Sequence, residues 1–219
     1  GTLRLLSRAP TQLGQTLKIA HEGREHFVKL PLIGAYQAAN ALMAAGLVIA
    51  TGGDPVSTLA NLSRVQGVRG RLERAVISRA GTPVYVDYAH TPDALAAAVS
   101  ALKPHAVGRL ILVFGAGGDR DQGKRPEMGL IAEAMADRVI ITDDNPRGED
   151  PALIRAAILS KAPEATEIGD RREAIGAAIG EAGPEDIVLI AGKGHETGQT
   201  VGDRVLPFDD VAVARECAA

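Results

Sequence analysis

The chain has 219 residues, 46% of them hydrophobic, enough to bury one large core or two smaller ones. A net charge of −3, 3% aromatics and no Trp exclude a general phosphate-backbone binder and a base-stacking platform, so no nucleic-acid partner is expected. No apolar run reaches the roughly 18 residues of a membrane span, no signal-peptide pattern opens the chain, and the lone Cys217 cannot form an internal disulfide; a soluble cytoplasmic protein without membrane insertion is expected.

The first thirty residues read as strands at Leu3–Leu6, Thr16–Ala20 and His26–Leu30, with a turn at His21-Glu22-Gly23-Arg24 between the last two. Tyr36–Thr51 has a helical pattern stopped by Gly52-Gly53, and a shorter helix is expected from Pro55 to Val65. Residues 1–80 hold 10 Lys and Arg against 4 Asp and Glu, whereas the remainder is acidic. Such a division marks two domains, a cleft between them or simple surface drift.

From residue 84 strands and helices alternate. Val84-Tyr85-Val86 is followed by Thr91-Pro92-Asp93, an N-cap, a first-position proline and an early acid. Leu95, Val99 and Leu102 give the ensuing helix an apolar stripe. Strands follow at Leu110–Phe114, Val139–Thr142, weakly at Thr166–Ile168, and at Ile187–Ala191. Helices are expected over Pro126–Ala136, Pro151–Ser160, Arg172–Ala182 and from Asp209 onward. Continuously apolar strands between helices imply an α/β fold, a mainly parallel sheet covered by helices on both faces. The division between domains is expected near residues 75–83, giving domains 1–79 and 80–219.

Four polar or glycine-rich clusters each directly follow an expected strand: Asp87–His90, Gly115–Arg125, Asp143–Arg147 and Gly192–Glu196. In an open parallel sheet such loops gather along one rim, where ligands bind. Gly118–Lys124 has the spacing of a P-loop, but Arg125 stands where a hydroxyl should hold magnesium. A dinucleotide fingerprint fails because Arg120 replaces its third glycine. In Asp143-Asp144-Asn145-Pro146-Arg147, the proline fixes a turn, the guanidinium suits a carboxylate and the acids suit an ammonium. Both signs together suit an amino acid zwitterion, although a turn capped by its own side chains has the same local pattern. Gly192-Lys193-Gly194-His195-Glu196 lets a ligand approach the backbone and offers Glu196 to an amino group. No metal-ligand set stands out, since His21 and His26 are one residue too far apart for a zinc-helix pair.

Taken in order, Val86-Asp87-Tyr88-Ala89-His90-Thr91-Pro92-Asp93-Ala94-Leu95, Gly117-Gly118-Asp119-Arg120 with Gly123-Lys124-Arg125-Pro126, Asp144-Asn145-Pro146-Arg147 and Gly192-Lys193-Gly194-His195-Glu196 closely resemble the C-terminal domain of the Mur ligases. The likeness is to the branch that adds meso-diaminopimelate to a UDP-N-acetylmuramoyl dipeptide, and it runs from about residue 30 to the end. The resemblance implies an ATP- and Mg2+-dependent amide ligase, acting as a monomer. It implies a Rossmann-like domain over 80–219, preceded over 1–79 by the end of the central ATPase domain. With no Gly-Lys-Thr/Ser motif in the chain, ATP and magnesium would be held largely elsewhere, and this chain by itself would be inactive. By resemblance Arg120, Asp144, Asn145, Pro146, Arg147, Gly192 and Glu196 hold the amino acid, with Arg147 pairing its distal carboxylate. Asn40, Arg71, Asp87 and His90 lie on the nucleotide side; Gln37 departs from an asparagine common in the family. The alternatives are a lysine-adding or folylpolyglutamate-type relative, or a non-catalytic amino-acid-binding module.

Overall fold

The computed structural model describes residues 3–219, which form two compact units dividing between Gly67 and Val68. In the first unit, strands β1 (Leu3–Thr11), β2 (Gly14–His21) and β3 (Arg24–Leu30) make an antiparallel meander. Glu22 and Gly23 both have positive φ, 47° and 78°, the geometry of a tight hairpin turn that matches strand twist. Leu17, Ile19, Val28 and Leu30 pack with Ala38, Ala41 and Ala45 of helix α1 (Ala35–Ala50), whose small side chains allow a close approach to the sheet. Helix α2 (Pro55–Asn61) begins on Asp54, whose carboxylate accepts from the Ser57 amide at 2.8 Å, and a short 3-10 turn follows at Leu62–Arg64.

The second unit is built on a six-stranded sheet. Its strands in chain order are β4 (Glu73–Ile77), β5 (Pro83–Asp87), β6 (Leu110–Phe114), β7 (Arg138–Ile141), β8 (Thr166–Glu167) and β9 (Ile187–Ala191). Across the sheet they run β4-β5-β9-β6-β7-β8, all parallel except β4. Helices α3 (Pro92–Leu102), α4 (Lys124–Met135) and α5 (Pro151–Leu159) pack in succession, and α6 (Arg171–Glu181) packs with α7 (Asp210–Cys217). Val84, Val86, Ile111, Val113, Ile140, Val188 and Ile190 form a core with α6 and α7. Strand alternation sends Leu110, Leu112, Phe114 and Leu189 to the other face, all fully buried. The stripe Leu95, Val99 and Leu102 is buried as its spacing implied. Among the described residues no helix is long and apolar enough to cross a membrane.

Two departures from the sequence reading matter. β4 pairs antiparallel with β5, so residues 68–79 belong with the later unit, and the structural division lies at 67/68. A two-stranded hairpin, β10 (Gly198–Val201) and β11 (Arg204–Pro207), follows β9 where no element was expected. Its residues are polar or exposed, so no alternation between core and solvent marks it.

Candidate amino-acid site

The loops after β5, β6, β7 and β9 meet at the carboxyl ends of four adjacent parallel strands and enclose a cavity of about 500 Å³. Arg120, Asp144, Asn145, Arg147, Gly192 and Glu196 line it, together with His90 and Lys124. Six of the seven residues expected to hold an amino acid therefore face one space. Pro146, the seventh, is buried at the turn, where its carbonyl accepts from the Glu149 amide at 3.1 Å.

The Asp144–Arg147 loop is fixed from three sides. A Cβ at Gly118 would overlap the Pro146 carbonyl oxygen, and the Gly118 amide donates to the Asn145 carbonyl at 2.9 Å. From below, the buried Arg125 grips Glu149 with both terminal nitrogens at 2.9 and 2.8 Å. Glu149 also accepts from the Asp119 amide at 2.6 Å, tying the loop that carries Arg120 to the loop that carries Arg147. These bonds, led by Arg125, hold the Glu149 carboxyl below its ordinary range. On the third side, Gln199 Nε2 of β10 donates to the Asp144 carbonyl at 2.8 Å. The Arg147 amide donates to the Thr200 carbonyl at 3.0 Å, and the Arg147 carbonyl accepts from the Gly202 amide at 2.7 Å. This framing holds Arg147 at a φ of 51°, a left-handed conformation uncommon for a residue with a side chain.

The polar groups divide into committed and uncommitted. Asn145 Nδ2 donates to Glu196 Oε2 at 2.9 Å, while its Oδ1 accepts from Lys193 Nζ and the Thr200 amide, each at 2.9 Å. Among the described residues, Glu196 Oε1 and both side-chain oxygens of the buried Asp144 accept no hydrogen bond. Arg147 Nη1 donates to the Gly118 carbonyl at 2.8 Å, leaving Nε and Nη2 without an acceptor. Gly192 has φ 119°, and a Cβ there would overlap an Asp144 carboxylate oxygen. Only glycine lets this acid lie against the β9 loop. Lys124 donates to the His90 carbonyl at 2.8 Å, and burial pushes its ammonium below the ordinary lysine value. The cavity thus presents three carboxylates, Asp121, Asp144 and Glu196, beside the guanidiniums of Arg120 and Arg147 and the Lys124 ammonium, a lining of both signs that fits a zwitterion.

Behind the cavity, Arg171 and Asp210 form a fully buried pair through two bonds of 2.8 Å. Arg171 also donates to the Ala191 carbonyl at 3.0 Å and the Asp143 carbonyl at 3.4 Å, joining the ends of β9 and β7 from the N-terminus of α6. Sequence reasoning assigned no role to Arg171, Asp210, Arg125 or Lys193. A cation in the first turn of a helix, where the macrodipole disfavours it, is the signal that marks Arg171.

Of the residues expected on the nucleotide side, Asp87 accepts from the Leu72 and Ala89 amides, both at 2.8 Å, and so shapes its own loop. Its carboxyl is raised by burial. The Arg71 guanidinium stacks 4.8 Å from the Tyr88 ring centre, and Tyr88 packs edge-on with His90 at 4.5 Å. Asn40 is an exposed residue of α1 in the first unit, where its amide donates to Gln37 Oε1 at 3.4 Å.

Residues 70–194 match the family model described as Mur ligase, glutamate ligase domain. The chain is 60% identical over 98% of its length to UDP-N-acetylmuramoyl-L-alanyl-D-glutamate--2,6-diaminopimelate ligase of Zymomonas mobilis subsp. mobilis, covering 45% of that relative. It is 58% identical over 96% of its length to the ligase of the same name from Caulobacter vibrioides, covering 43% of it. A solved structure of a ligase of this name superposes with a TM-score of 0.83 at 36% identity, over the whole chain and 45% of that structure. UDP-N-acetylmuramate-alanine ligase from Thermotoga maritima shares the fold, with a TM-score of 0.64 at 20% identity over 99% of the chain and 45% of that structure. The chain spans about half the length of the curated relatives it matches. Because the family model covers more than half of the chain, from the approach to β4 to the glycine loop after β9, the protein belongs to the Mur ligase family.

Proposed function

We propose that the chain is the amino-acid-admitting part of an ATP-dependent ligase that joins meso-diaminopimelate to UDP-N-acetylmuramoyl-L-alanyl-D-glutamate. The observation that carries this reading is the pairing, in one cavity, of uncommitted acid oxygens on Asp144 and Glu196 with the uncommitted fork of Arg147. A diamine with two carboxylates uses both signs, whereas a lysine side chain ends in an ammonium and leaves one guanidinium without a partner. The names of the relatives support the same substrate.

The chain's own contribution is orientation. Glu196 and Asp144 hold an ammonium, and Arg147, with Arg120 beside it, holds a carboxylate, so that the other amino group of the substrate is directed outward as nucleophile. Fixing a reacting amine in this way removes much of the entropy cost of a two-substrate step. ATP, when bound, supplies the phosphoryl group that activates the peptide carboxylate as an acyl phosphate. In this reading Arg71, with its charge held above Tyr88, and Asp87 and His90 of the second unit lie on the nucleotide side, as does Asn40 of the first unit. Among the described residues no group of three or more His, Cys, Asp or Glu could hold a metal ion. The first unit corresponds in this reading to the end of the central ATP-binding domain.

The full-length protein, supplied with ATP and the UDP-linked dipeptide, is expected to release phosphate and form the tripeptide product with meso-diaminopimelate. Turnover with L-lysine at equal or higher kcat/KM would overturn the assignment.

A further inference from the structure

Lys193 is fully buried, although its neighbour Gly192 lines the cavity. A buried ammonium is costly unless partnered. Its partners are two residues that do line the cavity, Asn145 through Oδ1 at 2.9 Å and Glu196 through Oε2 at 3.2 Å. We propose that Lys193 is a positioning residue of the amino-acid site, aiming the Glu196 carboxylate from behind. Substrate identity rests on the diaminopimelate reading; the positioning itself does not.

An ammonium has three donors and no acceptor, so it can donate only to the oxygen side of the Asn145 amide. The Thr200 amide makes the same demand on Oδ1. Turning the amide over would set its NH2 against both donors, so Asn145 Nδ2 is held toward Glu196. Glu196 Oε2 then receives two donors, Lys193 and Asn145, and Oε1, on a residue that lines the cavity, is left without one. A preorganised carboxylate of this kind loses little freedom when an ammonium arrives.

A double-mutant cycle separates positioning from mere packing. In the full-length protein, Lys193→Met is expected to lower kcat/KM for meso-diaminopimelate about tenfold, through KM, with the KM for ATP unchanged. In a Glu196→Gln background the same substitution is expected to cost less than about twofold. Equal costs in both backgrounds would overturn the role. A second measurement needs neither ligand nor a Lys193 variant. In the 219-residue chain, the Lys193 ammonium should give an exchange-protected proton–nitrogen NMR signal that shifts on Glu196→Gln together with the Asn145 side-chain amide. Signals that stay in place overturn the inference. Failure of the native full-length protein to use meso-diaminopimelate would instead overturn the functional reading, with the NMR result deciding the role of Lys193.

Discussion

The Asn145 side-chain amide donates to Glu196 Oε2 at 2.9 Å, joining the loop after β7 to the loop after β9 across 51 residues of sequence. The bond makes one surface from two motifs that the chain keeps far apart. Asn145→Ala removes a donor to a charged acceptor and is expected to weaken amino acid binding by about 1.5–3 kcal/mol. Titration calorimetry of the full-length protein measures it; unchanged affinity would mean that Glu196 is oriented without the amide.

Arg147 offers a planar fork rather than a point charge. Arg147→Lys keeps the sign but loses two-point recognition, and Arg147→Ala removes the partner of a carboxylate at a cost of about 2–5 kcal/mol. Both variants should raise the KM for meso-diaminopimelate steeply and leave that for ATP unchanged. The lysine variant should recover only part of the alanine loss.

The Arg171–Asp210 pair is a stability element as well as a brace. Arg171→Met leaves Asp210 buried and unpaired, and is expected to lower unfolding free energy by about 3–5 kcal/mol. The double variant Arg171→Met/Asp210→Leu, which buries no charge, should regain much of that loss. Urea unfolding of the three proteins provides the check.

Glu149 gives the tie between the Arg120 and Arg147 loops a pH dependence. Its carboxyl is held below the ordinary 4.5, first by the Arg125 bonds and then by the Asp119 amide. A depressed acid contributes stability that is fully present above its unfolded value and is lost as pH falls through its folded one. The native chain should therefore lose stability in a window that opens at about pH 4.5 and extends downward, and Glu149→Gln should flatten that part of the curve. Thermal melts at successive pH values between neutrality and acid measure the difference.

Much of this architecture was legible in the sequence because it rests on local signals. Asp54, Thr91, Asp150 and Asp209 cap their helices, three of them followed directly by the first-position prolines Pro55, Pro92 and Pro151. The apolar strands lie between them, so the rim loops could be placed by counting strand ends. The hairpin β10–β11 was not legible, because neither strand buries a regular face. Yet that hairpin is what pins Asp144, Asn145 and Arg147 from the far side. β4 was missed because it opens on Glu73 and Arg74, at the edge of the sheet, where one neighbour suffices. Arg125 and Lys193 stand in glycine-rich stretches with no apolar periodicity; their burial depends on partners 24 and 48 residues away, which no local pattern encodes.

Calorimetric titration of the full-length protein with meso-diaminopimelate and with L-lysine addresses the central claim directly, since the two ligands differ in the second carboxylate that Arg147 would hold. Saturable binding of meso-diaminopimelate, with L-lysine at least about tenfold weaker, is the expected result. Saturable heat with L-lysine and none with meso-diaminopimelate would contradict it.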